Sequence, residues 1–208
     1  MGKLVNGING PFVGKVGNII GTSRNGQAYI KAAHAKKRKK NNKPLSENQS
    51  RFSTAHYWLQ PLLNFVRVGY KDYKRSGEFN AAKSYVMNNA IENTGSDFAI
   101  NPALVKLSQG DLPLSADIAV AKSGADKLEF TWTFGGREEK GNGADQVMMV
   151  AYDAEKGRAH YETTGQFRRT GSDVLKVIKG GKYHVYMAFT SHDRVKQSES
   201  VYLGEVKM

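Results

Sequence analysis

The feature that most restricts the fold is a change of hydrophobic period along the chain. From about Leu104 apolar and polar residues alternate, most cleanly in Lys127-Leu128-Glu129-Phe130-Thr131-Trp132-Thr133. An extended strand puts Leu128, Phe130 and Trp132 on one side, because successive strand side chains point to opposite faces. Gln146–Tyr152, Ala159–Thr163, Val174–Ile178, Tyr183–Thr190 and Ser200–Val206 are further strand candidates. Gly135-Gly136, Gly141-Asn142-Gly143, Glu155-Lys156-Gly157, Gly171 and Gly180-Gly181 punctuate them. Short strands with turn residues at this spacing predict an antiparallel β-sandwich of about seven strands. Leu128, Phe130, Trp132, Val185, Met187 and Phe189 are its expected core.

The first half reads differently. Asn25-Gly26 lies between Val16–Arg24 and Gln27–Ala33, the signature of a β-hairpin with a tight primed turn. Glycines at 7, 10, 14, 17 and 21 have the spacing of a helical stripe. In a helix they would cost roughly 1 kcal/mol each, and Pro11 about 3 more, so tight turns and close backbone approach are expected instead. Residues 34–44, His34-Ala35-Lys36-Lys37-Arg38-Lys39-Lys40-Asn41-Asn42-Lys43-Pro44, read as an extended linker of self-repelling cations. Ser46 is then a candidate N-cap, with Gln49 completing a capping box and Glu47 in the first turn. Phe52, Ala55, Leu59, Leu62, Val66 and Gly69 form an amphipathic face that Pro61 interrupts, predicting a kink or a new helix near Gln60. After Gly77, Phe79 to Ile91 reads as another helix, stopped by Asn93-Thr94-Gly95. The expected fold class is α+β: an N-terminal β-hairpin with a basic arm and a helical hairpin, then a C-terminal antiparallel β-sandwich. The expected division is residues 1–102 and 103–208.

Charge is distributed unevenly over this plan. Residues 1–44 hold ten Lys or Arg and no Asp or Glu, whereas residues 109–208 hold fourteen of each sign. A segment with cations and no acidic neighbours creates a local field that attracts anions. The chain has no cysteine, which excludes disulfides, thiolate metal sites and cysteine nucleophiles. No apolar run reaches the ~18 residues of a membrane span, and the opening residues lack a secretory pattern. The expected location is the cytoplasm or the inside of an assembled particle.

The run Gly7-Ile8-Asn9-Gly10-Pro11-Phe12-Val13-Gly14-Lys15-Val16-Gly17-Asn18-Ile19-Ile20-Gly21-Thr22, with Phe79-Asn80-Ala81-Ala82 and the ending Ser200-Val201-Tyr202-Leu203-Gly204-Glu205-Val206, resembles a bacterial domain-of-unknown-function family of similar length. That resemblance covers nearly the whole chain and implies no activity. The basic stretch before an amphipathic helix is similar to segments of phage-type proteins. The C-terminal part resembles a fibronectin type III or immunoglobulin-like sandwich, with Trp132 as its core tryptophan, and a fold likeness of that kind carries no function by itself.

Catalytic patterns are weak. Gly10-Pro11-Phe12-Val13-Gly14-Lys15-Val16 has three residues between its glycines where a phosphate loop has four, and Val16 where a Mg²⁺-binding hydroxyl is needed. Ser191-His192-Asp193 has the residues of a hydrolase triad as immediate neighbours, which in a strand point to opposite faces, so a polar turn is expected. His160 and His184 could meet across strands, and Glu138-Glu139 lie in a glycine-rich loop without a rigid cleft. The expected protein is therefore non-enzymatic, with no cofactor and no metal. Its candidate polyanion-binding residues are Arg24, Lys31, Lys36, Lys37, Arg38, Lys39, Lys40 and Lys43, with DNA or RNA as partner. The alternative expectation is a structural subunit of a virion-like or filamentous assembly, whose arm contacts copies of itself.

Overall fold

The structure, a computed structural model, describes residues 3–4, 10–24, 26–33, 43–73, 77–95, 97–135 and 141–208. Its contacts fall into two compact units, Met1–Asn42 and Lys43–Met208.

The first unit is one antiparallel sheet in the order β1 (Lys3–Leu4), β2 (Phe12–Val16), β3 (Ile19–Arg24), β4 (Gln27–Ala32). The expected hairpin is present as β3 and β4, closed by the Arg24↔Gln27 pair. A second two-residue turn, Gly17-Asn18, joins β2 to β3, with Gly17 at φ +59°, where glycine is favoured. Gly21 lies beneath Phe12, and a Cβ there would collide with the Phe12 carbonyl and ring.

The second unit begins with α1 (Lys43–Leu59), a short 3-10 turn (Gln60–Leu62), α2 (Leu63–Gly69) and α3 (Glu78–Asn89). Pro61 sits in the 3-10 turn, where its missing N–H costs no helical bond, so the break falls near Gln60 as expected. The start of α1 differs from the expectation. The helix opens at Lys43, three residues before Ser46, because Pro44 fits the first turn of a helix. Lys43, counted with the linker from its composition, is therefore helical. A short hairpin of β5 (Ile91–Asn93) and β6 (Phe98–Ile100) takes up the end of the expected last helix.

Seven strands follow. The sheet β11 (Ser172–Lys176), β8 (Lys127–Thr133), β7 (Ala116–Lys122) faces the sheet β10 (Arg158–Glu162), β9 (Gln146–Asp153), β12 (Lys182–Thr190), β13 (Val201–Lys207), and every pairing is antiparallel. All six expected core residues lie between the sheets, with Val147, Met149, Ala151 and Tyr183. The other face of β9 and β12 carries Met148, Val150, Tyr152, Tyr186 and Ala188, which join Ala55, Leu59, Leu62, Phe65, Val66, Ala82 and Val86 in a second core. The central sheet is buried on both faces, and that makes 146–153 a nearly continuous apolar run.

Hydrogen bonds fasten the helices to the sandwich. Ser108 Oγ donates to the Ser198 carbonyl at 2.7 Å and lies 3.2 Å from the Gly69 carbonyl. Tyr186 Oη donates to Pro102 O at 2.7 Å, and Tyr70 Oη to Lys106 O at 2.9 Å. A side chain at Gly69 would run into the Leu107 carbonyl and Ser108, so glycine is what lets α2 lie against this segment. The expected boundary at 102/103 thus runs through a shared core, and the contacts divide at 42/43 instead.

Candidate functional site

Strand pairing sorts the first unit's residues by face. Cross-strand neighbours in register share a face, so Lys15↔Ile20 and Ile20↔Lys31 form one transverse row, and Thr22↔Tyr29 the next. Lys15, Tyr29 and Lys31 therefore project together, and all three are exposed. The opposite face carries Phe12, Val16, Ile19 and Ile30. Lys15 and Lys31 are two strand spacings apart, about 10 Å, and Tyr29 is about 7 Å from Lys31 along β4.

Of the sequence-predicted site residues, Lys31 is on β4, Arg24 ends β3 opposite Gln27, and Lys43 opens α1 in the second unit. Lys36, Lys37, Arg38, Lys39 and Lys40 lie outside the described residues. The structure brings Lys31 together with Lys15, which sequence reasoning missed. The signal was present in Gly17-Asn18, a hairpin dipeptide whose recognition would have set the β2–β3 register. The first unit has no carboxylate of its own to pair with this row, because residues 1–44 contain none. The arrangement can attract anions by field and offer a ring for stacking.

The other candidates resolve into structure. Phe12–Val16 of the near-phosphate-loop is strand β2. Ser191 Oγ donates to Asp193 Oδ1, whose carboxylate also accepts Val195 N–H at 3.0 Å, and Ser191 Oγ accepts Lys196 N–H at 2.9 Å. These bonds make a polar turn with Arg194 at φ +57°. The Ser191 hydrogen bond holds the Asp193 carboxyl below its ordinary range. His160 pairs with Ala151 and His184 with Tyr152, consecutive residues of β9, so the two imidazoles point to opposite faces of the sheet. Desolvation lowers the pKa of both. Among the described residues no group of three His, Asp or Glu is placed to hold a metal. Glu138 and Glu139 lie outside the described residues.

A cleft of about 980 Å³ opens between the edge strands β10 and β11. Its carboxylates are committed. Glu162 accepts the Thr163 and Thr164 amides at 2.9 Å each and the Thr164 hydroxyl at 2.6 Å, the bond that chiefly lowers its pKa. Asp173 accepts the Gln166 and Val174 amides at 2.7 Å each. They anchor the β10–β11 crossover and offer no pair of free acids. Among the described residues no helix is long and apolar enough to cross a membrane.

In comparisons with known proteins, the solved fibronectin type III domain of the human collagen alpha-1(XX) chain is similar at 16% identity and a TM-score of 0.35, over 47% of this chain and 85% of that domain. No curated protein matches the chain. The sequence profile of a family of unknown function (DUF6266) matches residues 11–204, and the chain belongs to that family.

Proposed function

We propose that the protein is a non-enzymatic binding and assembly protein that contacts nucleic acid or another polyanion through its basic N-terminal region. The observation that carries this reading is ten cations with no acid in residues 1–44, of which Lys15 and Lys31 share an exposed sheet face. Strand β4 ends at Ala32, shortly before the five consecutive cations 36–40. Polyphosphate rewards cation density through counterion release and needs no fixed geometry in the arm. The second unit is nearly balanced, with 22 basic and 19 acidic residues, so the chain's excess of positive charge lies mainly in the first.

The test replaces Lys36, Lys37, Arg38, Lys39 and Lys40 with Ser in the full chain. Binding to a labelled DNA oligonucleotide should weaken, and the slope of log K against log salt should flatten by about 4, at 0.7–0.9 per lost phosphate contact. Stability should not change. Undetectable DNA binding by the parent, together with a drop in assembled mass in the variant, would replace this reading with an arm that contacts neighbouring subunits.

A further inference from the structure

Phosphate attraction needs only cations, yet an aromatic ring stands among the cations of the N-terminal sheet. Tyr29 is 48% exposed. Its hydroxyl donates to Gln27 Oε1 at 2.6 Å, and Gln27 is two residues back on the same face of β4. That bond ties the ring's hydroxyl to a neighbour on its own strand. Thr22 is directly beside it on β3, and the Lys15–Ile20–Lys31 row lies one step along the sheet. The resulting surface is a ring on the same sheet face as two lysines, whose strand positions are about 7 Å (Lys31) and roughly 12 Å (Lys15) away.

We propose that this face binds single-stranded nucleic acid, with an unpaired base stacked on Tyr29 and the flanking phosphates on Lys15 and Lys31. The proposal rests on the polyanion reading above and specifies its partner. Charge complementarity selects a polyanion, and the ring selects one with accessible base faces. A duplex hides those faces inside its stack. Three strands side by side, at about 4.8 Å per spacing plus side chains, are also too wide for a major groove of roughly 12 Å. A single strand presents both groups that the sheet face can use, and base–aromatic stacking tolerates any sequence. Among the described residues, the opposite face of the sheet, with Phe12, Ile19 and Ile30, carries no cation.

The experiment measures binding of the full chain to a labelled 20-nucleotide oligodeoxythymidine and to a labelled 20-base-pair duplex, each over a range of salt. The parent should prefer the single strand at least tenfold at equal salt. Tyr29→Ala should lose about tenfold on the single strand, leave duplex binding unchanged and leave the salt slope unchanged, because stacking releases no counterions. Tyr29→Phe and Tyr29→Trp should retain single-strand affinity. Lys15→Gln and Lys31→Gln should each lower the single-strand slope by about 0.7. Equal affinity for the two polymers, or a silent Tyr29→Ala, overturns base stacking and leaves the polyanion reading standing. Loss of affinity in Tyr29→Phe assigns the effect to the hydroxyl and overturns it too. Failure of the parent to bind either polymer overturns this proposal together with the nucleic-acid form of the reading on which it rests.

Discussion

Among the described residues are two four-stranded antiparallel sheets, β1-β2-β3-β4 and β10-β9-β12-β13, and they differ in what covers them. In the second, β12 is buried at every residue except Lys182 and His184, with the helices on one face and the three-stranded sheet on the other. In the first, β4 is exposed at all six positions, including Ile30 at 69%. Full burial of a large apolar side chain contributes roughly 1.5–3 kcal/mol, so the central sheet concentrates stabilisation that the N-terminal sheet lacks. Charge follows the same division, with nine cations and no acid in residues 1–42 against 22 and 19 in residues 43–208. A sheet that stores little folding energy can still present a surface, and here the surface is basic.

Truncation tests that contrast most severely. Residues 43–208 should fold with near-parental ellipticity and melting temperature. Residues 103–208 should not, because removing the helices bares Met148, Val150, Tyr152, Tyr186 and Ala188 on one face of the central sheet. Circular dichroism and size-exclusion chromatography of the two fragments give the answer. A monomeric, cooperatively melting 103–208 fragment would restore the boundary at 102/103.

Single substitutions in the second unit come next in size. Arg168 and Asp145 are only 0% and 1% exposed, with Arg168 Nη2 3.4 Å from Asp145 Oδ2 and donating to Pro113 O at 2.7 Å. The guanidinium also lies 4.2 Å from the centre of the Phe189 ring. Asp145→Ala removes a buried carboxylate from beside the Arg168 guanidinium and should cost about 3–5 kcal/mol. Trp132→Ala should cost a similar ~3–5 kcal/mol, since Trp132 packs edge-on against Phe189 and donates Nε1–H to Arg168 O at 2.6 Å. Urea unfolding measures both. A loss below about 0.5 kcal/mol in either variant, the range of ordinary surface changes, would mean that the second unit does not concentrate its stability as described.

Much of this was legible in the residues, and the exceptions have physical causes. Alternation located β8 and named its buried Leu128, Phe130 and Trp132, because one face of that strand is solvated. The unbroken run Val147-Met148-Met149-Val150-Ala151-Tyr152 carried a second message. A strand that is apolar on both faces must be covered on both, and the helices do this. Read that way, it argues against a boundary between helices and sandwich. The start of α1 was displaced because Ser46 is a strong capping residue in isolation, whereas Pro44 admits an earlier start. The cations 36–40 were conspicuous by composition, but the pairing of Lys15 with Lys31 across β3 depends on a register that no composition reveals.

Alkaline pH offers a milder test of the helix–sheet core. Burial raises the pKa of Tyr152 to about 12 and pushes Tyr70 and Tyr186 higher still. Above the ordinary tyrosine value near 10, the unfolded chain releases these protons and the native chain keeps them. Native stability is therefore complete below pH 10 and declines as pH rises beyond it. Denaturant midpoints from pH 9 to 11.5 should fall steadily, and tyrosinate absorbance from these groups should appear with unfolding. A midpoint flat across that interval would contradict their burial.

The smallest expected effect on stability falls in the first unit. Gly21 pairs with Gly14 on β2, and a Cβ at 21 would meet the carbonyl and ring of Phe12. A flexible side chain could swing away, but a backbone carbonyl cannot, so Gly21→Val must push β2 from β3. That separates the strands holding Lys15 and Lys31 while leaving residues 43–208 untouched. The main thermal transition should stay within about 0.5 kcal/mol of the parent, as for substitutions outside the core. Oligonucleotide affinity and its salt slope should both drop. A shift of several degrees in the main transition would show that the N-terminal sheet shares its folding energy with the second unit, and the contrast between an energetically silent sheet and a buried one would fail.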